Sequence, residues 1–507
     1  MNENEVVQTN EEGVASRREF LSASATVAGL VAAAGAASAH SGVKTASATR
    51  PKPAPAASKA PATKLAGKIP VPVADAKGLK GGKFPMGTKL ASMKVLGANS
   101  RINIGFVGVG GQGYNAHVRS YSAKVSDWNV MPIAACDVYQ GNLDRAVNEI
   151  KNKAGNVNAV GDRDYRKLLE MADIDAIVIA TPEHWHGQVA VHAIQAGKHV
   201  YCEKPMVRYL DEAFQLYDVA KSAKAVVQIG SQGCSDVRWH ATAKAIREGK
   251  IGKLVMGQGS YCRNNRKGEW NYGIPGDLNP TTLEWERWLG SCPNRPFVSA
   301  GGARGDEFPE RDDAGARWAR YRKYWDYSAG ILGDLMPHKL HPFLIASGNP
   351  EFPTRVMSIG THGVQSKDRE VADTVQVIAE FPSGWSMLFI GSTVNEQGLE
   401  DMIRGEKGTI RFGNAVRLNP ERPYTEEVEP MEIDTNTDDL ARFARYENIP
   451  SHQQNWLESI RKNDPMNCNA NIELAIKVQA IISLAEMSQR LNKAMLFDPA
   501  TRKVTAS

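Results

Sequence analysis

Cysteine is scarce: six in 507 residues, at Cys136, Cys202, Cys234, Cys262, Cys292 and Cys468, with no CxxC pair and no zinc-type spacing. That excludes a zinc knuckle and a dense disulfide framework, and leaves one Cys262–Cys292 bridge open. An excess of one charge is missing too. Lys and Arg number 61 against 56 Asp and Glu, a net +5, and much of the surplus lies among Ala, Pro and Gly at Lys52, Lys59, Lys64, Lys68, Lys77, Lys80 and Lys83. Such a stretch is a solvated tether, so no nucleic-acid face is expected. Long apolar runs are absent beyond residue 39, so no later segment is expected to span a bilayer. With 42% hydrophobic and 23% charged residues, the composition is that of a globular protein of two domains plus a tail.

The start of the chain carries Ser16-Arg17-Arg18-Glu19-Phe20-Leu21, then an Ala/Gly-rich, weakly hydrophobic run ending in Ala37-Ser38-Ala39. Residues 1–39 read as a twin-arginine export signal cleaved after Ala39. The competing reading is an uncleaved anchor, which the few greasy residues in the run disfavour. The expected location is periplasmic or otherwise exported, with the membrane touched only through the signal. Residues 40–98 form a Pro/Ala/Lys-rich flexible linker.

Ile102 to Val107 has the apolar pattern of a buried strand and breaks into Gly108-Val109-Gly110-Gly111-Gln112-Gly113. A GxGxxG hexapeptide alone is weak evidence. Here it follows a strand and opens a helix, so the amides at the helix start can hold a pyrophosphate. A second strand, Val130 to Cys136, ends in Asp137, where a carboxylate can accept from both ribose hydroxyls; the alternative is a turn residue or helix cap. No Arg or Lys stands in Val138-Tyr139-Gln140, which favours NAD and leaves NADP open. The rhythm repeats through Ile174 to Ala180, broken at Thr181-Pro182, so a doubly wound parallel sheet is expected.

Glu183-His184-Trp185-His186 follows, then a helix, the strand Lys198 to Tyr201, and Tyr201-Cys202-Glu203-Lys204-Pro205-Met206. Lys204 thereby stands at a strand's carboxyl end, where ligands of parallel sheets collect. His184 and His186 have no third ligand nearby, so loop packing or nicotinamide contact is expected over metal. Gly108, Gly110, Gly111, Gln112, Gly113, Asp137, Thr181, Pro182, His186, Glu203 and Lys204 make up the expected cofactor set, and no metal is expected.

The motifs GVGGQG, ATPEHWH, AGKHVYCEKPM and the later GDLMPHKLH together resemble the glucose-fructose oxidoreductase, inositol dehydrogenase and MocA family (Gfo/Idh/MocA) over roughly Arg101 to Lys503. The resemblance implies an α/β protein: an N-terminal Rossmann domain over 99–230, then a C-terminal α+β domain with a mainly antiparallel sheet over 231–503. It further implies that the nicotinamide lies between them, that Lys204 holds a substrate hydroxyl, and that the sheet face supports a homo-oligomer.

In the second half, Arg263-Asn264-Asn265-Arg266 ends a strand and offers donors to sugar hydroxyls, with a solvated polar loop as the alternative. Trp270, Trp285, Trp288, Trp318, Tyr321, Tyr324 and Trp325 suit stacking on a pyranose or an irregular core equally. Gly333-Asp334-Leu335-Met336-Pro337-His338 reads as a helix start, Asp334 capping it and sharing a face with His338. A carboxylate beside an imidazole raises its basicity, as oxidation of an alcohol requires of a base near working pH. By the resemblance, His338 is the acid/base, Asp334 its partner or a substrate ligand, and Lys204 the polarising cation. Members commonly carry Asp three residues after that histidine; here His341 stands there, a candidate substrate contact with Arg263 and Asn264.

The expected function is an exported NAD(P)-dependent oxidoreductase that moves hydride between a sugar or polyol hydroxyl and a tightly bound nicotinamide. Two alternatives stay open: a glycosidase acting by transient oxidation and elimination, and a redox-inert sugar-binding protein.

Overall fold

The computed structural model describes residues 91–97, 99–297, 313–365 and 369–507. The export signal and most of the linker therefore lie outside the described residues.

Six short apolar segments build a parallel sheet: β1 (Ile102–Val107), β2 (Val130–Cys136), β3 (Val160–Asp162), β4 (Ala176–Ile179), β5 (His199–Cys202) and β6 (Val227–Ile229). Their order is β3-β2-β1-β4-β5-β6, and β4, β5 and β6 are buried along their whole length. That is what helices on both faces demand. The order reverses between β1 and β4, so the loops after these strands diverge and leave a crevice at their carboxyl ends.

The remaining strands, β7 (Leu254–Cys262), β8 (Arg355–Thr361), β9 (Thr374–Glu380), β10 (Ser386–Ser392), β11 (Met402–Gly405), β12 (Gly408–Phe412), β13 (Val416–Pro420), β14 (Met431–Glu432), β15 (Met495–Asp498) and β16 (Lys503–Ala506), form one ten-stranded sheet. Its pairings are antiparallel except β7 with β10. Side chains alternate along β8 and β9 between buried and exposed, so one face is core. The helices Pro337–Ala346 and Ile472–Leu491 cover it. On the other face Met357, Ile359 and Ile378 are exposed.

The flexible linker was expected to run to residue 98, yet residues 91–97 are tied down. Ala91 N donates to Gln195 O at 3.0 Å, Lys94 Nζ meets Asp175 Oδ1 at 2.5 Å, and Leu96 is buried with the β1 and β2 core. Order also continues past Asp498, because β16 pairs with β15. Cys262 and Cys292 are both free thiols. Among the described residues no helix is long and apolar enough to cross a membrane.

The helix Ile449–Lys462, near the chain's end, packs on the first sheet rather than the second. Trp456, Leu457 and Ile460 share a core with Ile104, Phe106 and Tyr201, and the Trp456 and Tyr201 rings meet edge to face at 5.6 Å. The nucleotide-binding half is thus completed by residues over 200 positions downstream. Trp456→Ala is expected to cost about 3–5 kcal/mol, measured as a lowered urea midpoint, and a fragment ending near residue 231 is expected not to unfold cooperatively.

Candidate active site

The glycine loop follows β1 directly. Gly108 has φ +81°, and a Cβ there would lie 2.5 Å from Thr181 N; a Cβ on Gly113 would lie 2.0 Å from Gly108 O. Only glycine lets the loop fold back this closely. Around Gly111 a Cβ would meet nothing within 4 Å, and at Gly110 only Asn142 Nδ2 at 3.6 Å. Two close packings therefore frame an open cradle of the kind a pyrophosphate fills. Asp137, at the end of β2, accepts from Val109 N and Tyr139 N, both at 2.9 Å. Burial pushes its carboxyl up to about 6 against these hydrogen bonds.

The turns after β4 and β5 form the next wall. His186 lies with Nδ1 2.7 Å from Pro205 O and Nε2 2.9 Å from Thr181 O, so its ring ties the two turns together, and burial lowers its pKa. His184 instead places Nε2 2.9 Å from Trp288 O. The two histidines bond in different directions, and among the described residues no group of three or more His, Cys, Asp or Glu could hold a metal. Thr181 Oγ1 is buried without a partner on the cleft wall, an acceptor and donor left for a bound group. Glu203 Oε1 is held by Gln112 Nε2 at 3.1 Å and His117 Nε2 at 2.9 Å. Burial raises this carboxyl, but the His117 and Gln112 hydrogen bonds and the Lys204 ammonium outweigh it and hold it at about 2.

Beyond this wall Lys204 Nζ donates to Asp334 O at 2.8 Å and to Asp334 Oδ1 at 2.7 Å. Arg322 Nε lies 2.9 Å from the same Oδ1, and Trp270 Nε1 donates to Oδ2 at 2.9 Å. Burial would raise the Asp334 carboxyl, but the two cations keep it well below its ordinary range. The expected Asp334–His338 pairing does not form. Asp334 ends a short turn, Ile331–Asp334, and a separate helix begins at Pro337 with Met336 as its N-cap. The four-residue spacing therefore spans a break, and Asp334 caps nothing; its oxygens go to Lys204, Arg322 and Trp270. His338 is half-buried on the cleft wall, its ring 5.4 Å from that of Tyr261. Burial, and then the Lys204 charge, push its pKa down to about 3, so the imidazole is neutral at working pH rather than poised near it.

These residues line one cleft of about 790 Å³ that runs from Asp137 to Arg263. Arg263 is on its wall, donating to Glu269 Oε1 at 3.0 Å and Tyr261 OH at 2.9 Å. Two expected substrate contacts are not. Asn264 is exposed, two residues past the end of β7, and bridges to Val394. His341 lies three residues beyond His338 on the buried side of the helix, its Nδ1 3.1 Å from both Ser231 Oγ and Pro337 O.

The aromatic stretch divides. Trp285, Tyr324 and Tyr327 pack with Tyr139, Leu278 and Leu283 into a small separate core; Trp288, within that core, and Trp318 and Tyr321, packed against it, also reach the cleft, as does Tyr272. That core straps the stretch onto the turn after Asp137: Gln140 N donates to Thr282 O at 2.9 Å, and Glu284 N to Val138 O at 3.0 Å. Sequence reasoning missed Arg322 and Trp270 as partners of Asp334. An arginine inside the aromatic run Tyr321-Arg322-Lys323-Tyr324-Trp325 is the signal that could have drawn attention, since a guanidinium so placed is partly desolvated and needs a carboxylate.

Asp334→Asn preserves shape but leaves Lys204 and Arg322 facing each other in a dry site. A loss of about 3 kcal/mol in unfolding free energy is expected. The native pairing stabilises fully above the unfolded carboxyl's value of about 4, and its contribution is lost as pH falls below that toward the folded value. A pH series of urea melts is therefore expected to show the two proteins converging in acid.

Comparison with known proteins accords with this geometry. Residues 102–231 match the oxidoreductase family with an NAD-binding Rossmann fold, and residues 302–411 match the GFO/IDH/MocA C-terminal domain. A glycosyl hydrolase family 109 protein of Shewanella sp. (strain MR-4) is 31% identical over 171 residues, 32% of this chain and 36% of the relative. An alpha-N-acetylgalactosaminidase of Shewanella oneidensis is 29% identical over 184 residues, 33% of this chain and 39% of the relative. The chain thus matches little more than a third of the length of these relatives. Among solved structures, levoglucosan dehydrogenase with NADH and levoglucosan shares the fold at a TM-score of 0.54 and 17% identity, covering 80% of this chain and 99% of that one. The aldose-aldose oxidoreductase of Caulobacter crescentus shares it at a TM-score of 0.53 and 16% identity, covering 78% and 100%. The chain thus carries, in order, a stretch that matches the NAD-binding Rossmann domain of the Gfo/Idh/MocA oxidoreductases, in which the glycine cradle and the orphaned Thr181 hydroxyl lie, and a stretch that matches the C-terminal domain of the same proteins.

Proposed function

We propose that this chain is an exported enzyme that oxidises a hydroxyl of a sugar or polyol and keeps its NAD bound through the cycle. The observation that carries the reading is the convergence of Lys204, Asp334 and His338 on the cleft that also holds the glycine cradle. The amides of the Gly108–Gly113 loop would hold the pyrophosphate, Asp137 the adenosine ribose, and Thr181, Pro182, His186, Gln112 and Glu203 the wall toward the nicotinamide. Bound NAD supplies the hydride acceptor and, on return, the donor.

Each protein group then has a task its surroundings support. Lys204, held in place by Asp334, donates to the substrate oxygen and lowers the cost of negative charge there. Neutral His338 takes the hydroxyl proton. A ring with its pKa near 3 is a weak base at rest, but the hydroxyl becomes strongly acidic as its carbon gives up hydride, so transfer is favourable when it is needed. Trp318, Tyr321 and Tyr272 offer apolar faces to a ring. The strap over the turn after Asp137 supports slow cofactor release, which suits a protein sent out of the cytoplasm by Arg17-Arg18. Protein purified from the exported fraction is expected to release close to one equivalent of NAD on acid treatment and to gain reduced-nicotinamide absorbance with a sugar. Cofactor-free protein that works only with added NAD would sink the captive-cofactor reading.

The pH profile tests the base. Because only the neutral imidazole accepts a proton, activity is expected to show no ionisation of His338 between about pH 5 and 8, and His338→Ala to lose at least about a hundredfold in kcat while retaining NAD. Full turnover in that variant would remove His338 from the mechanism.

A second reading is favoured by the family 109 names among the relatives. Oxidation of a ring hydroxyl acidifies the neighbouring C–H; loss of that proton expels the glycosidic substituent, water adds, and the hydride returns to carbon. Nitrophenyl glycosides separate the two: nitrophenol released without net nicotinamide reduction marks a glycosidase, and net reduction without nitrophenol marks a dehydrogenase.

A further inference from the structure

Among the described residues, three cations stand at the substrate end of the cleft, and their hydrogen-bonding capacity is spent unequally. Lys204 gives two donors to Asp334. Arg263 uses both Nη groups, on Glu269 and on Tyr261. Arg322 touches Asp334 only through Nε, at 2.9 Å, and neither Nη makes a hydrogen bond to a described residue. These Nη atoms are not sealed off either, since neither is among the fully buried unpartnered atoms, and Arg322 lines the cleft with its side chain only 21% exposed.

The guanidinium is also held in place. Its Cζ lies 4.6 Å from the centre of the Tyr321 ring, and the Asp334 contact fixes the Nε edge. Among the described residues, the nearby acids do not reach the free edge. Glu183 lies beneath Gly333, off the cleft wall, taking Ser328 Oγ at 2.5 Å and Ala329 N at 3.1 Å. Glu203 is occupied by Gln112 and His117. A preoriented pair of Nη donors in a partly dry cleft matches two coplanar oxygens, as a carboxylate offers. Neutral hydroxyls would use the fork one donor at a time and leave its charge unanswered.

We propose that the sugar oxidised here bears a carboxylate, received by the Nη edge of Arg322 while a ring hydroxyl lies against Lys204 and His338. This rests on the sugar-oxidising reading for its chemistry, but the anion site can be tested without it. The substrate class is a uronic acid, free or within a glycoside, and Arg322 is the residue that selects it.

The test compares binding to the full-length protein, by calorimetry or tryptophan fluorescence, of glucuronic and galacturonic acid, their methyl esters, and glucose and galactose. Each acid is expected to bind at least about tenfold more tightly than its own methyl ester, the scale of one charge-assisted hydrogen bond. Arg322→Gln is expected to abolish that ratio and Arg322→Lys to retain part of it. Equal binding of acid and ester, no binding of any acid, or a preference that persists in Arg322→Gln would overturn the proposal. Should that variant not fold, the acid-to-ester ratio on the unaltered protein decides alone. Nicotinamide absorbance, recorded in the same titrations, separates the two claims. Acid preference without reduction supports the anion site and counts against sugar oxidation; reduction by neutral sugars without acid preference does the reverse.

Discussion

The carboxylate of Asp334 is the contact on which the candidate site depends. It takes Lys204 from the nucleotide-binding half, Trp270 and Arg322 from the long segment between β7 and β8, and lies itself at the start of the helical layer that covers the second sheet. One desolvated anion thus gathers four distant stretches of chain. Its charge is stable there only because two cations answer it, and each cation is stable in the cleft only because the anion is present. The same cluster sets the character of His338. The Asp334 and Glu203 charges favour a protonated ring, but desolvation and the Lys204 charge outweigh them, and it stays neutral.

Around that centre, segments from far along the chain enclose the cleft. The helix Ile449–Lys462 completes the core beneath β1 and β5, and reaches the cleft by hydrogen bonds: Gln453 Nε2 lies 2.8 Å from His117 Nδ1, whose Nε2 holds Glu203. From the opposite side, the aromatic strap pins itself to the turn that presents Asp137. The cofactor region is therefore bounded by elements from both sheets, and its rigidity belongs to the whole chain rather than to the Rossmann unit. His338 and Glu203 are two titratable groups in one cleft whose surroundings push both below their ordinary range, one to a neutral ring and the other to a carboxylate, the pairing of unlike groups that proton and hydride chemistry at one carbon needs.

Much of this was legible in the sequence where the governing distances are short. The glycine loop, Asp137 at a strand end, and the alternation of strand and helix through Cys202 are local patterns, and backbone sterics make them nearly context-free. The link between Asp334 and His338 was not legible, because a four-residue spacing implies a shared face only within an unbroken helix, and this one restarts at Pro337. His341 misled for a related reason: three residues along the helix carry it to the buried side, against Ser231. The aromatic run could not be divided into core and cleft from composition, since burial depends on what packs against each ring.

The sequence by itself thus determined the nucleotide-binding half and the location of Lys204 at a strand's carboxyl end, since those follow from contiguous spacing and the stiffness of the backbone, while the second sheet was legible through the family resemblance. Tertiary structure alone decided which charges meet, how basic His338 is, and which arginine is left with an open edge. These are outcomes of Coulomb attraction and desolvation among residues 204, 270, 322, 334 and 338, whose proximity only the folded chain creates.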